Sequence, residues 1–149
     1  MEGTRKNVVE DLNGLLRSEL SAIETYRQAL EKSRKEYGED ARFQQLTQMM
    51  RDHEQAATQL RQLVQSMGGT AANDSGAWGT WSNTVMAAAR LFGDKSALKA
   101  LKEGEESGIK EYRSTLRDRA PPEIQQLCST IVTREEEHVR QLDRLIQAA

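Results

Sequence analysis

Cysteine is almost absent from this chain. Its 149 residues hold one, Cys128, so no internal disulfide can form and no cysteine pair can build a zinc or rubredoxin-type knuckle. A reducing, cytoplasmic setting is the expectation. Proline occurs twice, side by side at Pro121-Pro122, so long stretches run without a helix breaker. Aromatic residues make up 5%, which leaves the core mainly to aliphatic side chains. No apolar run is long enough to span a membrane, and Met1-Glu-Gly-Thr-Arg-Lys leads into a mixed segment rather than a signal-peptide core. A charge excess of one sign is missing too. The formal net charge is -2, which points to neither a nucleic-acid nor a membrane partner.

What is present is helical. Hydrophobic residues make up 37% and charged residues 30%, a mix that suits helices with one buried stripe and one solvated face. The length suits one domain, 1–149, with a real core. Helices are predicted over about 7–37, 40–67, 95–119 and 123–147. Gly38 separates the first two, with Asp40 placed to start the second, and Gly68-Gly69 closes it. Residues 68–94 form a crossover with a short amphipathic helix over about 78–92, ended by Gly93-Asp94. Trp78 and Trp81 fall there and are expected to dock it.

Each long helix carries an inward stripe. The first reads Leu12, Leu16, Glu19, Ile23, Tyr26, Leu30. The second reads Phe43, Leu46, Met50, His53, Ala57, Leu60, Val64, Met67. The third reads Leu98, Leu101, Glu105, Gly108, Tyr112, and the fourth Ile124, Cys128, Ile131, Glu135, His138, Leu142, Leu145. Steps of three and four residues alternate, as in the seam of a left-handed bundle. The two tight connections predict two helical hairpins joined by one long crossover. The expected fold is therefore all-α, an antiparallel four-helix bundle of ferritin-like topology. An internal repeat supports this: Glu19 to Leu30 aligns without gaps on Glu105 to Leu116, with six of twelve positions identical. The hairpins read as copies about a pseudo-twofold axis.

Five polar residues interrupt the stripes near mid-helix: Glu19, His53, Glu105, Glu135 and His138. In such a bundle the helix middles share one level, so the five should converge. Buried carboxylates without partners are costly and repel one another, and a divalent metal pair removes both problems. Glu135 and His138 lie three apart and so face the core from adjacent turns, whereas Glu136 and Glu137 are off the stripe. A Glu-x-x-His pair on one helix, joined by a Glu from another, is the recurring unit of di-iron and di-manganese bundles. Mixed oxygen and imidazole donors suit iron or manganese, with zinc also open. One or two ions per chain are expected.

At these residues the chain resembles the bacterioferritin and rubrerythrin branch of the ferritin-like superfamily. The resemblance rests on Glu19 to Tyr26, Glu105-x-x-Gly108-x-Lys110 and Glu135-Glu-Glu-His138, and spans roughly 7–147. Small bacterial ferritin-like bundles with a Gly-Gly after the second helix and a tryptophan-bearing crossover are similar as well. The resemblance implies that Glu19 and His53 hold one metal, Glu105 and His138 the other, and that Glu135 bridges. It places Tyr26 and Tyr112 close enough for hydrogen bonds to the ligands or redox roles, beside an ordinary use as core tyrosines. One departure stands out. The pattern wants a carboxylate three residues before His53, and Met50 is there. The flanking Asp52 and Glu54 project about 100° to either side of His53 and are not expected to replace it.

The leading functional expectation is a metal protein that handles iron and a small oxidant, dioxygen or peroxide, in the manner of a ferroxidase or peroxidase. A mononuclear site that only staples the bundle is the second reading, favoured by Met50, and a metal-free scaffold or stress protein the third. Without a cysteine pair there is no rubredoxin-type electron entry, and Arg51 offers no haem-ligand methionine. With no fifth long helix after the fourth, a small oligomer such as a homodimer is expected rather than a storage shell.

Overall fold

Apolar stripes on a helical period demand that helices bury those faces against one another. The computed structural model describes residues 2–76, 80–117 and 120–149, with side chains described for 7–76, 81–90, 93–116 and 120–149. It contains α1 (Glu2–Tyr37), α2 (Ala41–Ser66), α3 (Thr80–Phe92), α4 (Asp94–Arg117) and α5 (Pro122–Ala148). Among the described residues there is no strand, and no helix is long and apolar enough to cross a membrane. α1 starts earlier than the sequence pattern implied. Asp94, read as part of a break, instead opens α4; Gly93 alone breaks the chain, at φ 92°. An acid in the first turn also complements the helix dipole.

Local signals set the ends. Asp40 caps α2 by accepting a 2.9 Å hydrogen bond from the Phe43 backbone N–H. After α2, Gly68 adopts φ 79°, its N–H donates to the Gln65 carbonyl, and the Gly69 N–H donates to the Val64 carbonyl. Gly69 has a second reason to lack a side chain, since a Cβ there would lie 2.7 Å from Val9 Cγ1. Asn13 then pins the loop to α1. It donates to the Thr70 carbonyl at 3.0 Å and accepts from the Ala72 N–H at 2.8 Å.

Contacts give the helix directions. Arg34, late in α1, lies over the ring of Phe43, early in α2, while Val9 meets Gly69 at the other end. Lys102 of α4 pairs with Asp143 of α5 at 2.7 Å, and Arg113 with Glu136 at 2.7 Å. In both hairpins the partners run in opposite directions. Across the bundle α1 meets α4, and α2 meets α5. α3 packs on both α1 and α4. Its anchor is Trp81, whose indole N–H donates to the Ala100 carbonyl at 3.2 Å. The indole lies against Gly104, where a Cβ would come within 1.9 Å of it. Trp78 lies outside the described residues.

The core divides in two. One apolar cluster includes Leu12, Leu16, Leu60, Val64, Ile124 and Ile131; the other includes Leu30, Phe43, Leu46, Leu98, Leu101 and Leu142. The polar residues of the stripes occupy the level between them. Cys128 is buried in the first cluster, where burial pushes its thiol up to about 11 and keeps it protonated.

Candidate metal centre

All four long helices contribute to one buried polar cluster: Glu19 from α1, His53 from α2, Glu105 from α4, and Glu135 and His138 from α5. Each is at most 3% exposed, so none can rely on bulk water. Ligand-type atoms of His53, Glu105 and His138 lie within 4.8 Å of one another, and so do those of Glu19, His53 and Glu135. His53 belongs to both groups and sits at their junction.

The repeat reappears as geometry. Tyr26 donates its hydroxyl to Glu105 Oε1 at 2.7 Å, and its counterpart Tyr112 donates to Glu19 Oε1 at 2.7 Å. Each tyrosine thus serves the carboxylate of the other hairpin. Each histidine in turn faces the carboxylate of its own hairpin. His53 Nδ1 is 2.5 Å from Glu19 Oε2, and His138 Nδ1 is 3.2 Å from Glu105 Oε1. The second ring nitrogens break the symmetry. His53 Nε2 meets Glu105 Oε1 at 2.7 Å, whereas His138 Nε2 meets Asp52 Oδ2 at 2.8 Å.

Asp52 is a correction to the sequence reading, which turned it away from the site. It does lie to one side of His53, but that side faces α5, and a side chain there reaches the ring of His138. Asp52 also accepts from Gln48 at 3.1 Å and keeps its side chain 20% exposed. It links the buried cluster to the surface. The only available signal was an acid beside the inward histidine, a pattern too common on helices to stand out.

Met50 also differs. It is half-buried and lines a shallow groove with Arg27, Leu30 and Thr47. Met49 is the methionine that faces the cluster, with its sulfur 3.7 Å from the Tyr26 hydroxyl. Helix phase explains this. A residue four before His53 lies about 40° from it and a residue three before about 60°, on the opposite side.

Charge is unevenly held. Burial would push the His53 proton off, but Glu105 and Glu19 outweigh it and hold this imidazole well above its ordinary range. Burial likewise works against the Glu105 carboxylate, yet His53 and His138 keep it ionised below the usual range. Glu135 goes the other way: burial, then the charge of Glu19, push its carboxyl well up. Burial, followed by Glu105 for Tyr26 and Glu19 for Tyr112, raises both phenols well above their usual values. Two carboxylate oxygens of the cluster, Glu105 Oε2 and Glu135 Oε2, are buried without a hydrogen-bond partner among the described residues. Each such atom costs about 1–3 kcal/mol. Gly108 makes room beside Glu135; a Cβ there would lie 3.3 Å from Glu135 Oε1.

This is a ferritin-like fold. Two solved structures share it. The bacterioferritin of Rhodobacter capsulatus, described with a metal-free dinuclear site and haem iron, has a TM-score of 0.78 and 20% identity over 96% of this chain and 85% of its own. A ferritin-like, diiron-carboxylate protein from Bacillus anthracis str. Ames has a TM-score of 0.77 and 21% identity over 98% and 99%. At such identities the likeness speaks to the fold alone. In sequence, the chain belongs to the family described as Domain of unknown function (DUF2383), which matches residues 7–118. No protein of curated function matches it.

Proposed function

We propose that this protein binds one or two iron-class divalent ions through Glu19, His53, Glu105, Glu135 and His138, and that it handles iron or a small oxidant such as dioxygen or peroxide. The observation that carries the reading is a pair of buried carboxylate oxygens on Glu105 and Glu135 that have no hydrogen-bond partner among the described residues, within a cluster of three carboxylates and two imidazoles. That donor set fits iron or manganese, and zinc to a lesser degree. Bound there, the ion would supply Lewis acidity and, if iron or manganese, one-electron chemistry.

The remaining roles fall to the chain. Glu19 and Glu105 are each held at Oε1 by a tyrosine hydroxyl, which fixes Glu105 with Oε2 unbonded among the described residues and Glu19 with Oε2 on His53. Asp52 takes the outer nitrogen of His138 and leaves Nδ1 turned inward, the arrangement by which an outer carboxylate orients a ligand imidazole. The two apolar clusters exclude water above and below. His53 must give up at least one of its two carboxylate contacts to serve as a ligand.

A second reading, a metal-free polar network, has one observation in its favour. His53 is satisfied at both ring nitrogens by Glu19 and Glu105. Elemental analysis separates the two. After reconstitution with ferrous iron under anaerobic conditions, the wild type should retain one or two ions, and Glu105→Gln with His53→Ala, which takes the shared histidine from both ligand groups, should retain none. Equal background iron in both proteins would leave only the network.

A further inference from the structure

At the Gly38 end of the bundle, α3 roofs a cavity of about 50 Å³. Its wall is almost wholly apolar, with Ala29, Leu46, Val85, Ala97, Leu98 and Leu101 as the main contributors. One polar atom is exceptional. Ser33 lines the cavity, is 9% exposed, and its hydroxyl has no hydrogen-bond partner among the described residues.

Four properties define an occupant. The volume is roughly a third of the ~150 Å³ apolar cavity that takes up benzene or xenon, which leaves space for two or three heavy atoms. Water is disfavoured, because an ordered water wants about 2–4 polar partners and the wall offers one hydroxyl. The mouth carries Lys32 paired with Glu36 and Arg42 with Asp94, so its charge is balanced and attracts neither anion nor cation. The inner end reaches Leu101, one helical turn from Glu105, and Leu46, two turns from His53.

We propose that this cavity binds dioxygen. The molecule is neutral, apolar and two atoms long, and the Ser33 hydroxyl is free to donate to one of them. The assignment of dioxygen rests on the reading of the centre as a metal site; the capacity to bind an apolar diatomic does not. The cavity would hold the oxidant near the cluster.

Dissolved dioxygen is itself a paramagnetic probe, so the test uses the whole metal-free protein. Methyl relaxation is recorded under nitrogen and under oxygen pressure. The methyls of Leu46, Val85, Leu98 and Leu101 should relax severalfold faster under oxygen than the equally buried methyls of Leu12, Leu60 and Ile131. Filling the cavity with Ala97→Leu, or from the other side with Ala29→Val, should abolish the difference. Xenon should shift the same wild-type resonances. Uniform enhancement across both sets in the wild type would overturn the proposal, whatever the variants do. So would a localised enhancement that survives in a folded Ala97→Leu protein. If the localised pattern appears but the protein takes up no iron, the binding site stands and the reading of the centre falls.

Discussion

Gly104→Ala is the sharpest test of how α3 is seated over the bundle. In an isolated helix the change should help, by about 1 kcal/mol, because glycine is a poor helix former. Here an added Cβ would lie 1.9 Å from Trp81 Cε2, 2.1 Å from Cζ2 and 2.2 Å from Nε1. Carbon atoms pack at about 3.5–4.0 Å, so the indole must retreat by roughly 1.5–2 Å. That breaks its hydrogen bond to the Ala100 carbonyl and its edge contact with Tyr26, whose ring centroid is 6.3 Å away. Complete loss of a buried tryptophan costs about 3–5 kcal/mol. Taking about half of that for a displaced ring, less the propensity gain, leaves a net loss of about 0.5–1.5 kcal/mol. For a chain of this size, Tm should fall by roughly 1–6 °C. The decisive measurement is a double-mutant cycle by thermal or urea unfolding. In a Trp81→Ala background the same substitution meets no ring and should stabilise, so its effect changes sign. If Gly104→Ala stabilises the wild type, or costs the same in both backgrounds, the seating is wrong.

Two further outcomes follow from the polar residues around the centre. Asp52→Asn should leave the fold intact but loosen the His138 ring, weakening metal affinity by about 10–100-fold in a chelator competition, and unchanged affinity would remove Asp52 from the site. Glu111 is partly buried with one oxygen unpartnered among the described residues, and burial, then the charge of Glu19, push its carboxyl up to about 7 from 4.5. The folded state therefore keeps a proton that the unfolded chain has lost, and stability falls as pH rises through that window. With solvent screening of a side chain this exposed, the loss is about 1 kcal/mol. Glu111→Gln should accordingly be the more stable protein at about pH 8 and no better at about pH 4 in urea titrations of the metal-free form, whereas a gap independent of pH would contradict this account.

Much of the bundle was legible because helical phase is a strong and redundant signal. Leu12, Leu16, Leu60, Leu101, Ile131 and Leu142 were all placed inward by spacing alone, and all are buried. The five polar residues on those stripes converge for the same reason. Phase is a property of one helix, however, and what it missed involves two. Asp52 reaches His138 only because α2 and α5 are neighbours, and no spacing within α2 reveals that. Met50 and Met49 lie on opposite sides of His53 at similar angles, and packing against α1 decides between them. The seat of Trp81 on Gly104 pairs residues from separate helices with no sequence pattern in common. The repeat carried more than its length promised: the exchange of Tyr26 and Tyr112 between hairpins is the pseudo-twofold axis written in hydrogen bonds.

The central claim is that the polar cluster is a metal centre. Anomalous diffraction at the iron edge, from crystals of protein loaded anaerobically with ferrous iron, tests it most directly. One or two anomalous peaks should appear, enclosed by Glu19, His53, Glu105, Glu135 and His138, with His53 released from at least one of its two carboxylates. Crystals that show no peak there, with His53 still bridging Glu19 and Glu105, would contradict it.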